Sequence, residues 1–159
     1  MSRAGNEDVG LLTRGERLRR AANWVNLSTA LGLGIAAVTR TPVRRGPHGL
    51  YVGTGYRPPL PVAGAFTVGN VVLVRGRAPG TQPLTAALSP DLIKHEAAHA
   101  TQYAALLGLP FLPAYGLAAA WSLLRTGDPA SRNVFERRAG LAIGGYRERP
   151  VRPLRARRR

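Results

Sequence analysis

Two histidines and a glutamate fall within five residues, at His95, Glu96 and His99, in the pattern HExxH. On an α-helix, residues four apart lie about 40° apart around the axis and about 6 Å apart along it, so both imidazoles can reach one metal ion. Glu96 is turned about 100° from His95, where it can take a proton from a water molecule on the metal. The pattern predicts hydrolysis with Zn²⁺ as the cofactor.

The composition of the chain makes this pattern informative, because it holds only three histidines and eight acidic residues. A chance match is expected about once in several hundred chains of this length. The alternative interpretation is a solvated helix face or a pair of core histidines. Small residues between the histidines, Ala97 and Ala98, favour a metal site because they let the helix pack closely. The chain has no cysteine, which excludes disulfides and Cys-ligated zinc.

A third metal ligand must come from elsewhere in the chain. No histidine follows His99, and the acids that follow it are Asp128, Glu136 and Glu148. Asp128 precedes a proline and suits a helix N-cap, while Glu148 stands among arginines. Glu136 is therefore the predicted ligand. The alternative is a surface carboxylate paired with Arg132 or Arg137.

Further side chains are candidates to support the metal site. Gln102 lies three residues past His99 on the same helix face, where it can orient a ligand. Peptide hydrolysis also needs a donor for the oxyanion. Tyr103, seven residues after Glu96, is a candidate for that role or for packing, and Tyr146 and His48 are alternatives.

His95-Glu96-x-x-His99, followed on a later helix by Glu136, resembles the gluzincin zinc metallopeptidases. With Gln102 completing an HExxHxxQ core, it more closely resembles small uncharacterised bacterial proteins and the metallopeptidase-like domain of contractile-injection-system proteins. The resemblance is best over residues 65–146. It implies that His95, His99 and Glu136 bind zinc, that Glu96 is the general base, and that the edge of the strand over residues 65–75 binds an extended peptide.

The chain departs from this family at Gly140, where many gluzincins carry an aspartate that orients a ligand histidine. The orienting partner is then either missing or supplied by another residue, such as Asn133. Loss of such a partner typically costs about 10–100-fold in affinity or activity. Two hypotheses follow. The first is a zinc-dependent hydrolase, most simply a peptidase acting on a peptide or protein substrate. The second is a catalytically weak or inactive zinc-stabilised binding or structural protein.

The elements around these residues predict an α+β fold. Ser89, Pro90 and Asp91 begin the HExxH helix, and Gly108 and Pro110 end it. A second ligand helix runs from residue 128 to about 143. Residues 50–57 and 65–75 are rich in strand-forming residues, and Gly69-Asn70 is either a hairpin turn or part of one continuous strand. The expected sheet has two or three strands packed against the HExxH helix.

Four segments make up the predicted domain organisation: a polar and basic segment over 1–20, an apolar helix over 21–39, a metallopeptidase-like domain over 40–146, and a disordered arginine-rich tail over 147–159. The apolar helix is either buried, at a membrane surface, or a span or signal anchor. No cleavable signal peptide is expected, which leaves a cytoplasmic or membrane-associated protein.

The net charge of +15 comes from 23 basic and eight acidic residues. Residues 58–124 carry only +1, so the excess lies away from the HExxH motif. The basic tail is interpreted as a solvated segment or as a contact for an anionic membrane surface. Nucleic acid is not an expected partner, because the tail has no aromatic residue to stack on bases.

Overall fold

The computed structural model describes residues 11–61, 63–76 and 88–152. Within these ranges five α-helices surround one sheet, which confirms the predicted α+β class. The helices are α1 (Arg14–Val25), α2 (Ser28–Val38), α3 (Pro90–Ala105), α4 (Phe111–Thr126) and α5 (Val134–Ala139). The strands are β1 (Val43–Arg45), β2 (Tyr51–Tyr56), β3 (Ala65–Val68) and β4 (Val71–Arg75). The sheet thus has four strands rather than two or three.

The strands lie in the order β1-β2-β4-β3, with β2 and β4 parallel and both outer pairs antiparallel. Of the two alternatives for Gly69-Asn70, the hairpin turn is the one present. Gly69 has a φ of 62°, and a Cβ there would lie 2.4 Å from the backbone nitrogen of Thr29. Only glycine fits such a turn. The hairpin leaves β3 at the edge of the sheet.

Apolar side chains cover both faces of this sheet. Val52 and Val72 pack with Ile93 and Ala100 of α3 on one face, and α2 covers the other through Ala36. A third cluster lies beyond the β3 edge and consists of Val68, Tyr103 and Phe111. The HExxH helix therefore lies beside the edge strand, with α4 next to it.

Helix α3 begins as its sequence predicts. The hydroxyl of Ser89 accepts a hydrogen bond from the Leu92 N–H at 3.2 Å, and Pro90 is the first helical residue. The helix ends at Ala105, slightly before the predicted stop, because the chain turns left-handed at Leu107 and Gly108. The Gly108 N–H donates to the Tyr103 carbonyl at 2.7 Å, which caps the helix.

The segment predicted as one apolar helix forms parts of two helices instead. Leu27 takes a left-handed conformation with a φ of 64°, and the Asn26 side chain accepts from the Ser28 N–H, so a new helix begins there. None of the helices in the described ranges is by itself long and apolar enough to cross a bilayer. Helices α1 and α2 meet that criterion only as a pair, which is bent by 70°.

The second predicted helix is much shorter than expected. Asp128 does not begin it, because its carboxylate accepts from the N–H groups of Ala130 and Ser131 and closes a separate turn. Asn133 is the N-cap, and Gly140, with a φ of 93°, ends the helix.

Part of the predicted disordered tail is held against the domain. The Arg149 N–H donates to the Ser131 hydroxyl at 2.9 Å, and the Arg152 N–H donates to the Arg125 carbonyl at 2.7 Å. The order of residues 147–152 therefore comes from backbone hydrogen bonds that composition does not reveal. Residues 153–159 of that prediction lie outside the described residues.

Candidate metal centre

Helices α3 and α5 bring four chemically active side chains to one buried position. His95, Glu96 and His99 project from the middle of α3, and Glu136 projects from the first turn of α5. All four are buried, with Glu136 only 2% exposed. The predicted pattern residues and the predicted third ligand, 37 residues further along the chain, thus meet in space.

The donor atoms of His95, His99 and Glu136 all lie within 4.8 Å of one another. The two Nε2 atoms are 3.1 Å apart. Glu136 Oε2 lies 3.3 Å from His95 Nε2, and its Oε1 lies 3.5 Å from His99 Nε2. Ligands of a tetrahedral zinc ion at about 2.0–2.1 Å are separated by about 3.3 Å, so this triangle has the size that a metal ion requires.

The other nitrogen of each imidazole has its own hydrogen-bond partner. His95 Nδ1 lies 3.2 Å from the Gly140 carbonyl, and His99 Nδ1 lies 2.9 Å from Gln102 Oε1. Both partners accept, so each Nδ1 carries the proton and each Nε2 presents a lone pair. Gln102 is itself fixed, because its amide donates to the Phe135 carbonyl at 2.9 Å.

These lone pairs and the carboxylate fit a cation. Two unprotonated Nε2 atoms at 3.1 Å repel each other, and Glu136 Oε2 is buried without a hydrogen-bond partner among the described residues. A buried acceptor without a partner is costly, and a metal ion would satisfy all three atoms at once. The residues present therefore fit a metal ion.

The alternative for Glu136, a surface carboxylate paired with arginine, does not describe its surroundings. Arg137 and Arg132 approach Glu148 instead, with N···O distances of 2.7 Å and 3.5 Å. Glu136 contacts the two histidines and accepts a hydrogen bond from the Tyr115 hydroxyl.

Comparisons with known proteins return no relative of this chain. No protein-family model, curated protein or solved structure matches it. What the centre can do is therefore inferred from its own atoms. Two imidazoles and one carboxylate are a ligand set that zinc takes in catalytic sites, where a fourth position is left for water or substrate.

Glu96 lies beside this triangle rather than in it. Its Oε2 accepts a 2.6 Å hydrogen bond from the Thr67 hydroxyl on β3, which fixes the carboxylate at the edge of the sheet. Burial raises the pKa of Glu96 above its usual range, although Thr67 and the nearby histidines oppose the shift. A raised pKa suits a group that must accept and then release a proton.

The charges of the triangle depend on one another. Burial by itself would raise the pKa of Glu136, but the adjacent His95 and His99 imidazoles hold it well below its usual range. Burial would lower the pKa of His99, but the negative charge of Glu136 beside it raises it. Glu136 therefore remains ionised, as a metal ligand must be.

Three tyrosines surround the centre in different ways. Tyr115, which was not predicted as a site residue, donates a hydrogen bond to Glu136. The one sequence signal for this role is a polar hydroxyl in an otherwise apolar segment, four residues after Phe111. Tyr103 is buried, with its ring 4.4 Å from that of Phe111, as in a packing role. The Tyr146 ring centroid lies 6.3 Å from that of His95. Burial and nearby Glu136 raise the pKa of Tyr146 to about 12.

Two other predicted residues lie outside the triangle. Asn133 does not contact the Glu136 carboxylate; it accepts from the Phe135 N–H at 3.0 Å and so positions Glu136 by beginning α5. His48 is exposed and pairs with Glu16 at 2.6 Å, near the start of α1.

The centre opens into a cavity of about 390 Å³. Its lining is mostly apolar and includes Leu31, Ile35, Phe66, Val68, Phe111 and Leu112, whereas Glu96, Glu136, the two histidines and the three tyrosines supply its polar groups. A mostly apolar cavity with a few convergent polar groups is the usual form of a ligand site.

Replacing Gln102 by leucine is expected to weaken zinc binding by about 10–100-fold. The substitution removes the acceptor that holds the His99 ring. Gln102→Glu keeps an acceptor at that position and is expected to bind zinc more tightly than Gln102→Leu. Competition with a chromophoric chelator measures both affinities, and equal values for the two variants would contradict the orienting role.

Gly144→Ala is expected to weaken zinc binding roughly tenfold or more, as loss of ligand orientation does. A Cβ at this position would lie 2.5 Å from His95 Cε1, so the imidazole must move. Gly116→Ala is the matched control, because a Cβ there meets nothing within 4 Å. Chelator competition on both variants tests the expectation, and unchanged affinity in Gly144→Ala would refute it.

Proposed function

We propose that this protein is a zinc-dependent hydrolase that cleaves peptide bonds, as its resemblance to the gluzincins implies. The observation that carries the proposal is the triangle of His95, His99 and Glu136, with the Glu96 carboxylate beside it in the same cavity. These four groups are the ligands and the general base that metal-assisted hydrolysis needs.

His95, His99 and Glu136 would hold the Zn²⁺ ion, which would supply a Lewis acid and lower the pKa of a water molecule to about 7. Glu96 accepts a proton from the attacking water and passes it to the leaving amine. The hydrogen bond from Thr67 holds Glu96 in place for both transfers. Burial excludes bulk water from the carboxylate and strengthens its electrostatic interactions.

Tyr146 is the proposed donor to the oxyanion. It lines the cavity, and its pKa of about 12 keeps its hydroxyl protonated at neutral pH. Tyr115 is less suited to this role, because its hydroxyl already donates to Glu136.

The edge of β3 is the proposed binding site for an extended peptide. In the β3–β4 pairing, the Arg75 N–H donates to the Gly64 carbonyl, so these two residues form a hydrogen-bonded pair. Hydrogen-bonded and non-hydrogen-bonded pairs alternate along an antiparallel ladder. The backbone groups of Ala65 and Thr67 therefore point away from β4. No hydrogen bond from another described segment reaches those groups. An added peptide strand can use them, and Thr67 places that strand next to Glu96.

The proposal is tested with the full chain loaded with one equivalent of Zn²⁺ and an unfolded, fluorescently labelled casein. Cleavage is expected with the zinc-loaded protein, to be lost on removal of zinc by chelator, and to return when zinc is restored. A folded, zinc-replete protein that cleaves neither casein nor a mixed peptide library would contradict the hydrolase and favour a zinc-stabilised binding protein.

A further inference from the structure

Two neighbouring turns of the molecule expose leucines in a conformation that leucine rarely adopts. Leu27, between α1 and α2, has a φ of 64° and is 65% exposed. Leu107, between α3 and α4, has a φ of 59° and is 78% exposed. Glycine or asparagine would adopt this conformation at lower cost and would not expose apolar surface. The exposed leucine side chains at both turns therefore indicate that this surface has a function.

The two turns contact each other. A Cβ on Gly108 would lie 2.7 Å from Asn26 Cγ, so the residues next to Leu107 and Leu27 touch. Leu31 on α2 and Leu112 on α4 are both partly exposed, and both line the cavity of the candidate metal centre. We call this group of exposed leucines the apolar apex, and its members are Leu27, Leu31, Leu107, Leu109 and Leu112.

The surroundings of the apolar apex have the charge distribution of a membrane-binding surface. Residues 21–39 and 103–124, which contain it, have no acidic or basic side chain. Each segment carries an exposed tryptophan near a flanking arginine. Arg125 stacks on Trp121 at 5.4 Å, while Trp24 and Arg20 both contact the Tyr51 ring. Tryptophan and arginine are the residues that anchor proteins at the bilayer interface.

We propose that the apolar apex docks into the surface of an anionic lipid bilayer, to which the basic residues of the chain are attracted. The net charge of +15 complements such a surface and opposes the alternative occupant, a second copy of this chain, whose basic margins would meet. Because Leu31 and Leu112 line the cavity, docking places its mouth at the membrane. This proposal does not depend on the hydrolase function.

Cosedimentation of the full chain with vesicles tests the proposal, with phosphatidylcholine alone compared with a mixture containing phosphatidylglycerol. The chain is expected to bind the anionic vesicles, more weakly as salt rises. Leu27→Glu and Leu107→Glu are each expected to weaken binding about tenfold or more. Leu11→Glu is the matched control, because Leu11 is fully exposed and lies outside both segments.

Far-ultraviolet circular dichroism of the leucine variants shows whether they are folded. If they are not, the unmodified chain supplies a direct measurement, because Trp24 and Trp121 are its only tryptophans. Their emission is expected to be quenched by brominated lipid. Binding that is equal for the double leucine variant and Leu11→Glu, or emission that vesicles leave unchanged, would overturn the proposal. The proposal would also be overturned if the unmodified chain formed a dimer that does not bind vesicles and the double leucine variant were monomeric.

Discussion

Glu136→Gln is expected to weaken zinc binding by more than the roughly 10–100-fold that loss of an orienting hydrogen bond costs, because it removes a charged ligand. The substitution keeps the size of a side chain that is 2% exposed, so the packing of α5 is retained. Zinc at 100 times its dissociation constant stabilises a folded protein by about 2.7 kcal/mol. For a chain of this length that corresponds to a rise in Tm of about 5–10 °C.

Thermal unfolding with and without excess zinc measures this difference. The wild-type protein is expected to show the rise in Tm, and Glu136→Gln to show little of it. Glu148→Gln is the matched control, since Glu148 is an exposed carboxylate paired with Arg137. A Glu136→Gln variant that keeps the full zinc-dependent rise would exclude Glu136 as a ligand.

Glu96→Gln is expected to separate zinc binding from catalysis. Its side chain lies beside the metal triangle and contacts Thr67, so the variant is expected to bind zinc as the wild type does. Without a general base, kcat is expected to fall by about 10²–10⁴-fold. Activity on labelled casein and zinc content, measured on the same preparation, test both parts.

Glu148→Gln again serves as the control, and its activity is expected to match the wild type. Equal activity in Glu96→Gln would show that the carboxylate is not the base. Loss of zinc together with activity would instead assign Glu96 to the metal ligands. Each outcome therefore distinguishes the role of Glu96 from that of Glu136.

Local chemistry made part of this molecule predictable from its sequence. Ser89 and Pro90 specify where α3 begins, because capping depends only on residues within one turn. The HExxH spacing places His95 and His99 on one face of that helix for the same reason. Glu136 could be predicted as a third ligand only by elimination among a few acids, which the scarcity of acidic residues in this chain allowed.

Features that depend on distant contacts were not predictable. The helix expected from Asp128 is shortened because that carboxylate closes a turn with Ala130 and Ser131. The predicted apolar helix is broken at Leu27, although leucine favours helix. The Asn26 side chain accepts a hydrogen bond from the Ser28 N–H, and a new helix begins there. Tyr115 reaches Glu136 only because α4 folds back over α3 and α5.

The hydrogen bond between His95 and Gly140 has a consequence for sequence patterns that are used to find metal centres of this kind. The acceptor is a backbone carbonyl, and the chain presents it through a φ of 93° that favours glycine. Many gluzincins use an aspartate side chain for the orienting role that is proposed here for the Gly140 carbonyl. A sequence pattern that demands an acidic residue four positions after the ligand glutamate would miss this chain, whereas one that also accepts glycine there would retain it.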